Sequence, residues 1–239
     1  MLLDVIAGGF TVENLLVSII ASLIVIFLTL PVHEFAHGFV ANKLGDPTAR
    51  YQGRLTLNPL AHIDYLGALC ILLVGFGWAR PVPVNSYYFK KPKRDVAITA
   101  LAGPVSNLLM ALLALIIRNV ILSFTEPAFI PYIWYGLIHY PESLTLTLYA
   151  VILFEFIAII NVSLAVFNLI PVPPLDGSRL LSAFLPDKYY YKLMQYEQYL
   201  IWIVFLLLIT DVLDRPMNTA LNFFFKGIKN IADLPFKLF

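Results

Sequence analysis

Apolar residues along the chain form four long runs, separated by stretches rich in proline, glycine and charged residues. The first predicted helix covers residues 13–44 and ends at a Gly-Asp-Pro turn. Two further long helices are predicted over residues 95–124 and 144–170, and a shorter one over residues 199–213. A helix needs about 20 apolar residues to cross a bilayer core of roughly 30 Å. The pattern therefore predicts an all-α polytopic membrane protein with about four transmembrane helices.

Two stretches between the first and second runs break the helical pattern. Residues 65–77 are apolar but only thirteen residues long, which favours a short re-entrant or buried segment over a full crossing. Residues 78–85 alternate prolines with other residues and predict an extended edge segment. We therefore expect small extended elements beside the helices, and an edge of this kind could pair with an extended peptide.

Composition supports the membrane assignment. The chain of 239 residues is 60% hydrophobic and 13% charged, whereas soluble domains carry about 25% charged residues. A net charge of +1 shows no signature of nucleic-acid binding, so no nucleic-acid partner is expected. The single cysteine, Cys70, excludes an intrachain disulfide. No positively charged segment precedes the first apolar run, so we expect that run to be retained in the mature protein.

Lysine and arginine residues predict the orientation in the membrane. Eight of them lie between residues 43 and 94, whereas only Arg118 borders the connection between the second and third runs. The positive-inside rule places the region of residues 43–94 in the cytosol. Residues 215–239 mix phenylalanines with spaced lysines and predict an interfacial amphipathic helix. In the predicted orientation this tail lies on the opposite side of the membrane.

A polar motif ends the first run, where residues 33–37 read His-Glu-Phe-Ala-His. Because positions i and i+4 share one helix face, His33 and His37 can offer nitrogens to one metal ion, usually zinc. Glu34, next to the first histidine, can act as a general base. A histidine pair that only packs or contacts water is the alternative, but ionisable groups at membrane depth are costly and usually functional. Pro31 predicts a kink just before the motif.

A third metal ligand is expected, because a catalytic zinc usually has three protein ligands. Asp176 is the best candidate, since it lies in an apolar, proline-rich break directly after the third run. Counting the crossings places this break on the same side of the membrane as the histidine pair. Asp-Gly is also ordinary turn chemistry, so only the combination with the histidine pair favours a ligand.

The chain resembles the site-2 protease family of intramembrane zinc metallopeptidases. Residues 33–37 and 168–177 (NLIPVPPLDG) are similar to its two signature motifs, and residues 102–107 (AGPVSN) to its Gly-Pro-x-x-Asn segment. Residues 58–64 and 77–85 resemble a compact prokaryotic subgroup without PDZ or CBS domains.

The resemblance implies hydrolysis of peptide bonds within transmembrane helices of membrane-protein substrates. It assigns His33, His37 and Asp176 as ligands of one Zn²⁺ per chain. It assigns Glu34 as the catalytic base and Asn168 as a catalytic residue that binds the oxyanion or the substrate.

The sequence as a whole also predicts a domain organisation and a location. We expect residues 1–239 to form a single membrane-embedded peptidase domain. The protease core would cover about residues 13–185, with a C-terminal span and interfacial tail in residues 199–239. The protein is expected to be a multi-pass protein of the cell membrane, with its active site towards the cytoplasmic side.

Several other polar residues allow two interpretations. Asn161 and Asn168 are seven residues apart and share one helix stripe, which could face the site or form bonds between helices. Gly103 and Asn107 are interpreted mainly as helix-packing residues. His62 could be an extra ligand, a partner of a ligand, a gate or a hydrogen-bonded loop histidine.

Glu155, in the third run, could be functional, could snorkel towards the lipid headgroups or could form an interhelical hydrogen bond. Two other function classes remain open: a zinc-binding membrane protein that binds helices or partners without cutting them, and a metal transporter. A base at Glu34 argues against the first. The second would require a chain of ionisable residues through several spans, which the sequence lacks.

Overall fold

Helices dominate the computed structural model, which describes residues 16, 19, 20, 22–74, 77–124, 145–210 and 212–236. Three helices are long and apolar enough to cross a membrane: Ser22–Leu44, Pro92–Ser123 and Leu146–Asn168. The all-α membrane architecture is confirmed, and the predicted number of about four crossings is approximate. Most of residues 13–21, the start of the first predicted span, lies outside the described residues, as does the connection of residues 125–144.

The helices are numbered here in chain order. They are α1 (Leu30–Leu44), α2 (Thr48–Tyr51), α3 (Tyr65–Val74), α4 (Pro92–Ser123), α5 (Thr145–Asn168), α6 (Asp176–Leu180), α7 (Asp187–Gln195), α8 (Glu197–Ile209) and α9 (Asp214–Asp233). Residues 78–85, called the edge segment below, are extended and belong to no helix or named strand. Within the described residues, the one isolated β-bridge is antiparallel and joins Ile63 to Ala79.

The first span widens just before the histidine motif. Val25–Thr29 form a π-helical turn, and the N–H of Leu30 donates to the carbonyl of Val25. Pro31 lacks an N–H, and its ring crowds the carbonyl four residues earlier, which a wider turn relieves. The distortion predicted from Pro31 is therefore present as a π turn. Helix α1 then ends at Gly45, whose φ of 113° is favourable for glycine.

Small residues allow α4 and α5 to pack closely at the centre of the bundle. Ala111 and Ala158 are fully buried there, next to Leu115 and Val162. Helices in a membrane associate through close packing of this kind, because lipid tails are as apolar as the side chains themselves. Helix α1 packs against α4 as well, so the histidine motif lies against the wall of the α4–α5 pair.

Helix α9 is the amphipathic helix predicted for the tail. Its apolar residues Ala220, Phe224 and Ile228 pack against the α4–α5 core, while Asn222 and Lys226 are exposed. The helix therefore runs beside the spans and extends the bundle. Its interfacial position in a bilayer stays a prediction.

The end of the bundle away from the histidine motif holds a set of polar side chains, called the ion-pair cluster below. Buried Arg118 on α4 pairs with Glu155 on α5 and donates to Asn119 Oδ1 from its Nη2, over 2.7 Å. Asn119 Nδ2 in turn donates to the carbonyl of Ala232 (3.1 Å) and to Asp233 Oδ1 (2.9 Å) on α9. Glu155 thus takes the interhelical role that the sequence left open.

The predicted re-entrant segment contains α3. Ten helical residues cover about 15 Å, which is too short to cross a bilayer. Leu66, Leu69 and Leu73 are exposed on one side, whereas Ile71 is buried and faces the cavity described below. The segment therefore contributes a wall of the site.

Candidate metal centre

Two helices that are far apart in the sequence bring three ligand atoms together. His33 Nε2 and His37 Nε2 on α1 are 3.0 Å apart, as expected for side chains one helical turn apart. Asp176 Oδ2, at the start of α6, lies 3.2 Å from each of these nitrogens. Among the described residues, these three form the group of histidine, cysteine and acidic side chains that could hold a metal ion.

The spacing of these atoms fits a zinc ion. Zinc bonds of about 2.0–2.2 Å at tetrahedral angles place neighbouring ligand atoms about 3.3–3.5 Å apart. The observed separations of 3.0 and 3.2 Å differ from this by a few tenths of an ångström. Two imidazole nitrogens and one carboxylate oxygen are also a donor set that catalytic zinc sites use.

Helix α4 fixes the second histidine. The Nδ1–H of His37 donates to the carbonyl of Thr99 over 2.7 Å. This bond fixes the tautomer that leaves the lone pair of Nε2 free for a metal. One turn further along α4, Gly103 faces both imidazole rings, and a Cβ there would overlap His33 and His37. Gly103 therefore has the packing role predicted for it, and the groups that pack against it are the two histidine rings.

Asp176 is held as a carboxylate. Burial acts to raise the pKa of its carboxyl, but its interactions with His37 and His33 outweigh burial and hold the pKa below its usual range. The ionised form is the one that binds metal. Nearby, Ser182 Oγ donates to the carbonyl of Lys93 over 3.2 Å, which ties the turn after α6 to the start of α4.

Glu34 lies on α1 beside the three-atom group and contacts the edge segment. The backbone N–H of Val82 donates to Glu34 Oε2 over 2.8 Å. The edge segment is tied down at both ends: Arg80 N–H donates to the carbonyl of His62 (2.8 Å), and Asn85 N–H donates to Asp46 Oδ2 (2.7 Å). An ordered backbone amide therefore holds one oxygen of the Glu34 carboxylate.

A cavity of about 830 Å³ opens onto these groups. Most of its lining is apolar, including Ile71, Leu164 and Trp202, and its polar side chains include His33 and Glu34. Pockets of this size and character bind sizeable apolar ligands next to a few polar groups. The cavity can hold an apolar chain against the candidate metal centre.

The structure separates the two asparagines of α5. Asn168 lines the cavity, and its Nδ2 donates to the carbonyl of Leu164 over 3.0 Å. Asn161 is fully buried between helices, where its Nδ2 donates to the carbonyl of Ile157 and to Thr29 Oγ1. Asn168 therefore faces the site, whereas Asn161 packs behind it.

His62 lies outside the three-residue group. It is fully buried in the loop before α3, and its Nε2 is 2.7 Å from the carbonyl of Thr56. Sequence reasoning missed the backbone partners of the site, Thr99 C=O and Val82 N–H. No sequence signal could have found them, because every residue except proline carries the same backbone groups.

Comparisons with known proteins identify the family of the chain. The model of peptidase family M50 matches residues 21–210. "Putative zinc metalloprotease YwhC" of Bacillus subtilis strain 168 is 40% identical over 202 residues, which cover 83% of this chain and 84% of the relative. "Putative zinc metalloprotease Rip2" of Mycolicibacterium smegmatis is 31% identical over 206 residues, covering 83% of this chain and 70% of the relative.

A more distant relative is archaeal. "Putative zinc metalloprotease MJ0611" of Methanocaldococcus jannaschii is 31% identical over 153 residues, which cover 63% of each chain. No solved structure matches the chain significantly. The resemblance found in the sequence motifs is confirmed, and zinc is the implied metal. The chain belongs to peptidase family M50, the site-2 protease family, and is a membrane-embedded zinc metallopeptidase.

Proposed function

We propose that this metallopeptidase hydrolyses peptide bonds within or near the transmembrane helices of membrane-protein substrates. One observation carries the proposal: His33, Glu34 and His37 lie in the middle of the apolar helix Ser22–Leu44, Asp176 lies beside them, and the group opens onto a mainly apolar cavity. A polar peptide from solution would gain little binding free energy from this apolar lining. A substrate segment from within the membrane presents apolar side chains, which the cavity can accept.

His33, His37 and Asp176 would hold the zinc, which would supply Lewis-acid activation of water and of the scissile carbonyl. Glu34 is the general base. Since Oε2 accepts the Val82 N–H, Oε1 is the oxygen left to take a proton from the attacking water. The same carboxylic acid can then deliver that proton to the leaving amine, as general acid–base catalysis requires.

Asn168 is placed to bind the substrate or its oxyanion. Its amide lines the cavity, and one N–H is used by the carbonyl of Leu164. An amide carries two N–H donors, so the second remains for a substrate carbonyl oxygen. Donors aimed at developing negative charge lower the barrier to acyl transfer.

The site is proposed to face the cytoplasmic side of the cell membrane. Residues 43–94, which include the loops that adjoin the motif, hold eight of the nine arginines and lysines in the first half of the chain. Positive charge in short loops favours the cytosol. The substrates are membrane proteins whose scissile segment can reach the cavity from the bilayer.

The test uses detergent-purified protein and fluorescein-labelled single-span peptides whose leucine-rich cores are interrupted by Asn-Gly. Wild type should cut within or beside the core, and Glu34→Gln should abolish cutting while retaining about one zinc per chain. Zinc content is read by plasma mass spectrometry. Cleavage that survives Glu34→Gln would refute Glu34 as the base, and stable zinc binding with no cleavage by wild type would favour a non-proteolytic role.

A further inference from the structure

Val82 of the edge segment makes two contacts with α1. The N–H of Val82 donates to Glu34 Oε2 over 2.8 Å. The Val82 side chain is buried and packs against the helix where Gly38 leaves room; a Cβ on Gly38 would come within 3.2 Å of Val82 Cγ1. The position of this residue therefore sets the position of the Glu34 carboxylate.

The edge segment has little backbone pairing to fix its position. Pro81 and Pro83 flank Val82, and neither carries an N–H for pairing with a neighbouring strand. Within the described residues, the segment's β pairing is limited to the single bridge between Ala79 and Ile63. Beyond this bridge and the backbone bond from Arg80 to His62, the segment therefore depends on contacts with side chains.

Arg54 supplies such contacts next to Val82. Its Nη2 donates to the carbonyl of Arg80 over 2.8 Å and, with a longer separation of 3.3 Å, to the carbonyl of Pro81. The Pro81 carbonyl and the Val82 N–H belong to one planar peptide group. The guanidinium therefore binds one end of the peptide group whose other end binds Glu34.

Two physical effects follow from this arrangement. A cation on the carbonyl polarises the peptide group, so its N–H becomes a stronger donor to the carboxylate. The rigid peptide plane also transmits orientation from the guanidinium to the carboxylate. In addition, burial and the charge of Arg80 lower the pKa of Arg54, and attraction to the nearby Glu34 carboxylate opposes that shift.

We propose that Arg54 is a positioning residue for the general base: through the Pro81–Val82 peptide group it holds Glu34 in one orientation towards the cavity. The inference rests on the proposed function for its catalytic consequence. Its structural consequence, the ordering of the edge segment, can be measured without any substrate.

The first experiment measures hydrogen exchange of the peptide of residues 81–85 in the zinc-loaded protein. Only Val82, Val84 and Asn85 carry amide hydrogens in it. Arg54→Ala should speed its exchange about tenfold or more. Arg50→Ala is the matched control, because Arg50 is an exposed arginine of α2, and it should leave exchange unchanged. Equal exchange in wild type and Arg54→Ala would overturn the proposal.

The second experiment measures cleavage of the same labelled single-span peptides. Removing a residue that orients a catalytic group typically costs about 10- to 100-fold, so Arg54→Ala should lower kcat by that factor with KM and zinc content unchanged. Arg54→Lys, which keeps one charged donor, should restore part of kcat. A rise in KM with unchanged kcat, or a loss of zinc, would overturn a role acting through Glu34.

A double-mutant cycle tests the route through the peptide group. Val82→Pro removes the N–H that Glu34 accepts, and Val82→Ala keeps it, so Val82→Pro should lose more activity. Adding Arg54→Ala to Val82→Pro should cost little more, because coupled residues are not additive. Additive losses would overturn the route. If wild type cuts no faster than Glu34→Gln, the proposed function fails, while the exchange result still decides the role of Arg54.

Discussion

The two ends of the helical bundle both bury ionisable groups, and they use them in opposite ways. In the ion-pair cluster, Arg118 meets Glu155 and, at 3.7 Å, Asp233. In the metal centre, His33, His37 and Asp176 present three acceptor atoms to one point. In the first set the oppositely charged groups pair with one another, so its role is to join α4, α5 and α9. The second set is completed only by a cation, and that requirement distinguishes a functional site from a structural one.

The two regions also differ in how far they are enclosed by the protein. The metal centre opens onto a cavity of about 830 Å³, whereas Arg118 is enclosed, with 3% of its surface exposed. Buried ion pairs are sensitive to loss of one partner, because the other charge is left without compensation. Changes in the cluster should therefore act on stability, and changes in the metal centre on zinc and activity.

The largest effect is expected from Asp176→Ala. Loss of one of three protein ligands should remove most of the zinc and lower activity about 10³-fold or more. Plasma mass spectrometry and peptide cleavage measure the two quantities. Full zinc occupancy in this variant would contradict the contrast between the metal centre and the ion-pair cluster, because Asp176 would then not be needed to bind the cation.

The second prediction contrasts two glycine substitutions. Gly103→Ala puts a Cβ into the space of the two imidazole rings, so zinc content and kcat should both fall about 10-fold or more, as for other changes that displace ligands. Gly227→Ala on α9 meets nothing within 4 Å and should leave zinc unchanged. There alanine should favour the helix by about 1 kcal/mol.

Zinc titration and thermal unfolding in micelles measure both glycine variants. Equal zinc affinity in Gly103→Ala and Gly227→Ala would show that α4 does not position the histidines.

The smallest effect on function is expected from Glu155→Gln in the ion-pair cluster. It leaves the Arg118 charge with a neutral amide and the more distant Asp233, so the free energy of unfolding should fall by about 1–3 kcal/mol. Zinc content and kcat should stay within about twofold of wild type. Unfolding in mixed micelles measures the stability, and a loss of zinc without a loss of stability would contradict the structural role of the cluster.

Local features of the sequence determined much of this protein. Helical periodicity places His33 and His37 on one face, so two of the three metal ligands follow from a spacing of four residues. The long apolar runs determine the membrane helices, because a bilayer accepts only segments whose backbone bonds are satisfied internally. Pro31 determines the distortion before the motif, and the alternation of polar and apolar residues determines that α9 is amphipathic.

Tertiary structure decided the rest. Asp176 was a candidate ligand from its motif, but only packing of α6 against α4 brings it to His37 across 139 residues of sequence. Glu155 became an ion-pair partner and Asn168 a cavity residue because α5 packs with one face towards α4. The contact between Val82 and Glu34 uses a backbone amide, and since nearly every residue carries one, residue identity cannot reveal which amide is used. Side-chain chemistry is therefore readable from the sequence, while the choice of partners requires the fold.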